Sequence, residues 1–218
     1  MLDVNEEEDR FFIDSTQKAK SNNLGILPEF MAISHERESS ARGIATHNFM
    51  QFFSVENLLE TGVEKELSRL VKDGFISEKN ASLVRLDEVE LFKKSELYSE
   101  MRKAKKLYRE FRFSVMLPAP LFTLDDEKKE LLKDEKILLQ GVIDCIVEDA
   151  DGRLHLIDSK TDRLTKNELS DKTLTQKKLS EKHCLQLSYY ALAIEKIFGK
   201  LPDTTRIYSL PLGDTVDV

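Results

Sequence analysis

Asp144, Asp158 and Lys160 are the residues of this 218-residue chain whose types and spacing point to chemistry. They lie in one stretch, Gln140–Asp162, which reads QGVIDCIVEDADGRLHLIDSKTD. Two carboxylates brought face to face among apolar neighbours need a cation or a shared proton. A divalent metal with oxygen ligands meets that need most simply. A lysine two residues beyond an aspartate shares its face of a strand. From there it can orient a water or stabilise developing negative charge. The competing reading is a solvated carboxylate pair at a strand end, balanced by Lys160.

Whether the two aspartates meet depends on the elements that carry them. Val142–Val147 and Leu154–Asp158 are apolar runs joined by Glu-Asp-Ala-Asp-Gly, the pattern of a β-hairpin. With a loop of Ala150-Asp151-Gly152 and Gly152 in the left-handed region, Asp149 pairs with Arg153. Asp144 then falls directly opposite Asp158. Opposed residues have Cβ atoms roughly 5 Å apart, so like charges there destabilise. Val142, Ile146, Leu154 and Leu156 share the face of the aspartates, and Ile143, Cys145, Val147 and Ile157 form the other. A strand apolar on both faces is an inner strand. A slip of one residue would separate the aspartates.

Composition narrows the class. Hydrophobic residues make up 40% of the chain and glycine plus proline only 13 residues, so a packed core is expected. No apolar run approaches membrane-spanning length, and no signal peptide is present. Cys145 and Cys184 lack metal-type spacing and fit a reducing cytoplasm; an iron–sulfur cluster, which needs four cysteines, is excluded. The net charge of −7 is unlike that of a free-standing nucleic-acid binder, so any such binding is expected to be local or within a larger assembly.

Along the chain, residues 1–38 read as a partly irregular extension, with Leu24–Phe30 as a loop. Ser39–Thr61 reads as one helix closed by Gly62. It carries His47 one turn after Gly43, and a lone helical histidine is more often structural than a ligand. Val63–Asp73 and Ser77–Leu86 read as two further helices and Val89–Lys106 as one or two. Leu107–Leu117 changes to a strand with Tyr108, Phe111, Phe113 and Val115. Glu110 lies within it, where a partner role for Arg109 or Arg112 is the plain reading. Leu121–Lys136 reads as an exposed excursion. Arg163–Lys182 is strongly polar and reads as either a mobile loop or the exposed front of a helix, in function a solvated linker or a cationic flap over substrate. Glu181–Phe198 is a helix closed by Gly199, with Gln186 and Tyr190 one turn apart on a shared edge. Thr205–Leu210 reads as a last strand. The fold class is therefore mixed α/β, with a helical part over 39–106 and a small-sheet core over 107–218. No phosphate-binding glycine loop is present, so no helicase motor is encoded in this segment.

Aspartate followed by Asp-x-Lys on the next strand is, in physical terms, a metal-dependent phosphodiesterase arrangement. The combination resembles the PD-(D/E)xK nucleases, and within them the RecB-type nuclease domain. The matching pieces are Gly43-Ile-Ala-Thr-His47, Glu110 before Phe113, Gly141-Val-Ile-Asp144, Ile157-Asp-Ser-Lys-Thr-Asp162 and Gln186-Leu-Ser-Tyr-Tyr190. They cover roughly residues 30–210. ARGIATHNFMQFF, REFRF and IDSKTD look most like the C-terminal nuclease domain of the A subunit of AddAB-type helicase–nucleases. Ser159 and His183 depart from the family, each standing where a tyrosine is common.

The resemblance implies a restriction-endonuclease-like core and a divalent-metal-dependent deoxyribonuclease. It implies Mg2+, with Mn2+ able to substitute, held by His47, Asp144, Asp158 and the Ser159 carbonyl. It implies Lys160 as the catalytic lysine, Gln186 and Tyr190 as residues positioning the DNA backbone, and Glu110 as a secondary candidate. The implied partners are single-stranded DNA at a processed end, a helicase motor in the parent chain and a B subunit, in the bacterial cytoplasm and with no membrane. A stand-alone phage- or restriction-like exonuclease and a non-catalytic docking module of the same fold are the alternatives.

Overall fold

The computed structural model describes Ser21–Asn22, Gly25–Ile26 and residues 41–218. Ser21–Asn22 (β1) and Gly25–Ile26 (β2) pair antiparallel, so that β2 falls within the expected loop Leu24–Phe30 and β1 before it; the other expectations for residues 1–38 lie outside the described residues. The chain divides into two compact units, Met1–Glu38 with Phe113–Gly141, and Ser39–Arg112 with Val142–Val218.

In the larger unit the helices come first: α1 (Ala41–Phe52), α2 (Val55–Thr61), α3 (Val63–Lys72), α4 (Glu78–Ala81), α5 (Leu86–Lys94) and α6 (Glu96–Lys103). The single helix expected over Ser39–Thr61 is two. Ser54 is extended, and its side chain accepts from the Asn57 N–H, so it caps a new helix instead of continuing the old one. Its own N–H is taken up by Glu66, a fully buried carboxylate also held by Arg69. The helix expected over Ser77–Leu86 is a single turn, α4. The chain then leaves the helix, the Arg85 N–H binds Thr46 Oγ1, and α5 starts afresh at Leu86.

The five-stranded sheet has the order β3–β4–β5–β6–β7, from β3 (Lys106–Pro118), β4 (Lys136–Glu148), β5 (Leu154–Lys160), β6 (Thr204–Ser209) and β7 (Asp214–Asp217). β5 is central, antiparallel to β4 and parallel to β6. A strand buried on both faces must be apolar on both, and the hairpin pattern has that character. The last strand, β7, has no counterpart in the sequence pattern: Gly213, with φ 70, reverses the chain after β6 and pairs it back antiparallel.

One sheet face supplies Cys145, Val147, Ile157 and Tyr208 to a core shared with Phe49, Phe53, Phe92, Leu97 and Tyr98 of the helical part. The other face presents Ile146, Leu156 and Ile207, all fully buried, and there α9 (Lys172–Phe198) lies. Of the two readings of Arg163–Lys182, the exposed front of a helix is the one found from Lys172 on, and the segment is not a mobile loop. Thr165 and Glu168 form a capping box that starts α8 (Lys166–Ser170), and Asp171 caps α9, which runs unbroken to Gly199. Three of its lysines pair with acids: Lys172 with Asp214, Lys178 with Glu168, Lys182 with Asp162.

In the smaller unit a 3-10 turn, Ala119–Phe122, leads into the excursion Leu121–Lys136, which contains α7 (Asp126–Leu131), capped by the Asp125 side chain.

Candidate active site

The hairpin register is the one required to bring the aspartates together. The paired ladder runs from Glu148–Leu154 through Val147–His155 and Ile146–Leu156 to Cys145–Ile157, and Asp144 and Asp158 are the residues just beyond its last pair. Gly152 has φ 77, and the Asp149 N–H binds the Arg153 carbonyl, so the turn closes as a left-handed glycine dictates. The two carboxylates take different neighbours. Asp144 Oδ2 accepts the Ser159 backbone N–H at 2.9 Å. Asp158, only 1% exposed, lies 2.5 Å from Lys160 Nζ. That contact is an ion pair outside hydrogen-bond directionality, since Asp158 Oδ2 has no hydrogen bond.

Lys160 is buried too, and its ammonium donates to Gln186 Oε1 at 2.9 Å. Gln186 Nε2 in turn donates to the Tyr190 hydroxyl at 2.8 Å. Gln186 and Tyr190 thus reach Lys160 as a chain of hydrogen bonds. The amide fixes where the ammonium sits, and the phenol fixes which way the amide points.

On the helical side, His47 Nε2 lies 4.0 Å from Glu110 Oε1. His47, Glu110 and Asp144 each offer a ligand atom, all within 4.8 Å of one another. Asp158 is not part of that trio. Among the described residues Glu110 is the one non-glycine residue with positive φ, at 49. Strain of that kind collects at functional sites.

The local geometry explains the strain. Below Glu110 the Lys105 N–H binds the Glu148 carbonyl, and above it Gln140 Nε2 binds Ser114 Oγ. From 105 to 114 is nine residues, and from 148 to 140 is eight, so β3 carries one residue more than β4 over this span. That is a β-bulge. The positive φ of Glu110 locates the irregularity at Arg109 and Glu110. Consecutive strand residues ordinarily point to opposite faces, yet these two line the same recess with His47, Asp144 and Ser159. Tyr108 and Phe111, three apart, both pack on Phe198. The bulge therefore delivers a third carboxylate that regular alternation would have aimed elsewhere.

Burial pushes the Asp144 carboxyl up to about 6, and the Asp158 charge pushes the same way; His47, Lys160 and the Ser159 N–H oppose them. Burial likewise raises Glu110, against the charges of His47, Arg109 and Arg112. Carboxylates that resist ionising beside a neutral-capable imidazole form a donor set deficient in positive charge. Nitrogen and carboxylate oxygen at this spacing suit a divalent cation.

Three contributors are not legible in the sequence pattern as read above. Arg109 is not a partner for Glu110: it donates to the Phe53 and Met50 carbonyls. Asp162 is gripped by Lys182 and by His183 Nε2, the latter at 3.2 Å, which ties the end of β5 to α9. Its carboxyl is buried, which raises its pKa, but these two hydrogen bonds win and hold it well below the usual range. The bulge itself is the third, and it does leave a signal: aromatic residues at 108, 111 and 113 step by three and then by two.

The same order of elements, a sheet carrying Asp144 and Asp-x-Lys with a helix following, is found across a known group of proteins. The family model described as the PD-(D/E)XK nuclease superfamily matches residues 16–214. The chain belongs to this superfamily. Within it the chain is similar to the A subunit of an ATP-dependent helicase/nuclease from Clostridium botulinum (strain Hall), with 29% identity over 221 residues, covering 100% of this chain and 16% of that protein. It is also similar to the A subunit of an ATP-dependent helicase/nuclease from Oceanobacillus iheyensis, with 28% identity over 186 residues, covering 85% of this chain and 14% of that protein. The chain therefore spans about one-sixth of the length of these relatives. Among the described residues no helix is long and apolar enough to cross a membrane.

Proposed function

We propose that this chain is the nuclease module of an ATP-dependent helicase–nuclease and hydrolyses phosphodiester bonds of DNA with a divalent metal. The observation that carries the reading is the convergence of Asp144 and His47 with the bulge carboxylate Glu110, next to the buried Asp158–Lys160 pair. The similarity to helicase/nuclease A subunits supports the wider setting: a motor in the parent chain, a B subunit, and single strands fed from a broken DNA end in the bacterial cytoplasm.

His47, Asp144 and Asp158 would hold Mg2+ or Mn2+, with the Ser159 carbonyl as a further oxygen donor. Glu110 stands close enough to His47 and Asp144 to join them. When bound, such a cation lowers the pKa of a water and offsets charge on the phosphate under attack. Lys160 supplies a second positive group, held by Gln186 Oε1 with its donors near where negative charge develops. Buried as it is, it meets little water that could screen that charge. Tyr190 keeps the Gln186 amide turned so that its oxygen faces Lys160.

The test is cleavage of single-stranded DNA by the 218-residue chain with Mg2+ or Mn2+, run with and without chelator, alongside a melting curve. Cleavage that the chelator abolishes and a melting temperature that rises with Mn2+ are expected. A cation at about 100 times its Kd adds roughly 2.7 kcal/mol to the folded state. No cleavage and no thermal shift at millimolar Mn2+ would remove the proposal. The net charge of −7 also predicts weak, salt-sensitive DNA binding by this chain alone. Tight binding at physiological salt would contradict a module that depends on a motor for its substrate.

A further inference from the structure

Arg109 occupies an unusual place. It stands in the bulge of β3, immediately before Glu110, and its side chain crosses to the end of α1. Its two terminal nitrogens donate to the Phe53 and Met50 carbonyls, the former at 2.5 Å. Its guanidinium carbon lies 4.1 Å from the centroid of the Phe53 ring, a cation–π contact. These carbonyls are among those a helix leaves unpaired at its C-terminus. That end carries partial negative charge, and α1 has no basic residue of its own in the last turn. Arg69 adds only a 3.5 Å contact to the Phe52 carbonyl.

His47 sits one turn before Gln51 on that same helix end, and Glu110 is the next residue in the chain after Arg109. Arg109 thus joins the two elements that carry the imidazole and the bulge carboxylate, and both it and they line one recess. Its charge also favours the ionised form of Glu110.

We propose that Arg109 is a positioning residue for the metal-binding cluster: by gripping the last carbonyls of α1 from the bulge of β3, it sets His47 and Glu110 at the spacing that lets them share a cation with Asp144. The proposal rests on the metal-site reading above. The planar fork makes the link, since two carbonyls a turn apart need two divergent donors in a fixed plane. Lysine keeps the charge and can serve only as a point donor.

Arg109→Lys and Arg109→Met test this, measured by Mn2+ titration calorimetry, by melting without metal, and by separate kcat and KM on single-stranded DNA. Leu70→Ala, in a fully buried position of α3 outside the recess, serves as a control that lowers stability without touching the grip. Supporting contacts behind metal ligands are typically worth about 10–100-fold in affinity. Both Arg109 variants are expected to melt cooperatively, to bind Mn2+ at least about ten-fold more weakly, and to lose kcat more than KM. Leu70→Ala should melt earlier yet bind Mn2+ as the wild type does. Wild-type Mn2+ affinity in both Arg109 variants overturns this proposal alone. So does loss of affinity in Leu70→Ala in step with its melting temperature, or failure of both Arg109 variants to fold, because Arg109 is then a general fold contact. Absence of Mn2+ binding by the wild-type chain overturns the metal-site reading and this proposal with it.

Discussion

Lys160 and Asp158, two residues apart on the central strand, hold each other at 2.5 Å with 3% and 1% of their side chains exposed. The carboxylate oxygen nearest the ammonium, Oδ2, has no hydrogen bond, whereas the ammonium also has Gln186. In the proposed metal site Asp158 would serve either the lysine or a cation, so the two positive groups would compete for it. On that proposal the pair is a latch that a bound metal would have to open.

Removing each member should therefore have different effects. Lys160→Ala is expected to lose about 10²–10³ in cleavage rate, the usual consequence of deleting one charge-stabilising group. It should bind Mn2+ at least as tightly as the wild type, because its competitor for Asp158 is gone. Asp158→Ala strands a buried ammonium, which typically costs about 3–5 kcal/mol. It should melt earlier without metal and gain little from Mn2+. Calorimetry and melting curves on both variants check this. Equal loss of Mn2+ binding in the two would show that Lys160 does not compete for Asp158.

Gln186 gives a kinetic discriminator. A residue that grips the DNA backbone raises KM when removed, and one that orients a catalytic group lowers kcat. With its oxygen on Lys160, Gln186→Ala is expected to lower kcat by roughly ten-fold or more and leave KM nearly unchanged, from the loss of one hydrogen bond to a charged group. Steady-state cleavage of single-stranded DNA measures both constants. A change confined to KM would return Gln186 to the substrate-binding role.

Glu110 sets function against stability. A non-glycine residue in the left-handed region carries about 1–2 kcal/mol of strain. Glu110→Gly should accordingly melt higher than Glu110→Ala by about that margin, with both binding Mn2+ more weakly than wild type. Equal melting temperatures would mean the bulge imposes no strain at this position.

Acid stability should depend on Asp162. Its folded-state pKa lies below the usual value of 3.8, through its bonds to His183 and Lys182. The contribution is then fully present above the ordinary carboxylate pKa and is lost as pH falls through the depressed one. Asp162→Asn should lower the melting temperature at pH 7 and narrow its difference from wild type below about pH 4, the range where an unfolded aspartate takes up its proton. Melting curves at pH 7 and pH 3 report it. An unchanged difference at the two pH values would detach Asp162 from that linkage.

The sequence by itself determined what is local. Gly152 and the aspartates around it specify the turn, the turn specifies the register, and the register pairs Cys145 with Ile157, the residues next to Asp144 and Asp158. Lys160 follows from period-two alternation, and the closing of the last long helix follows from Gly199. Period and turn chemistry act over a few residues and need no knowledge of the rest of the fold. Tertiary structure decided what depends on partners distant in the chain. Helix α9 begins at Lys172, not Glu181, because Asp171 caps it and its lysines find acids on other elements. Gln186 serves Lys160 because α9 packs across β5, which no spacing within either segment reveals. Above all, Glu110 faces Asp144 because a bulge adds one residue to β3 while Arg109 anchors that strand to the end of α1. A bulge breaks the alternation from which strand faces are read, and the contacts that offset its strain come from residues more than fifty positions away.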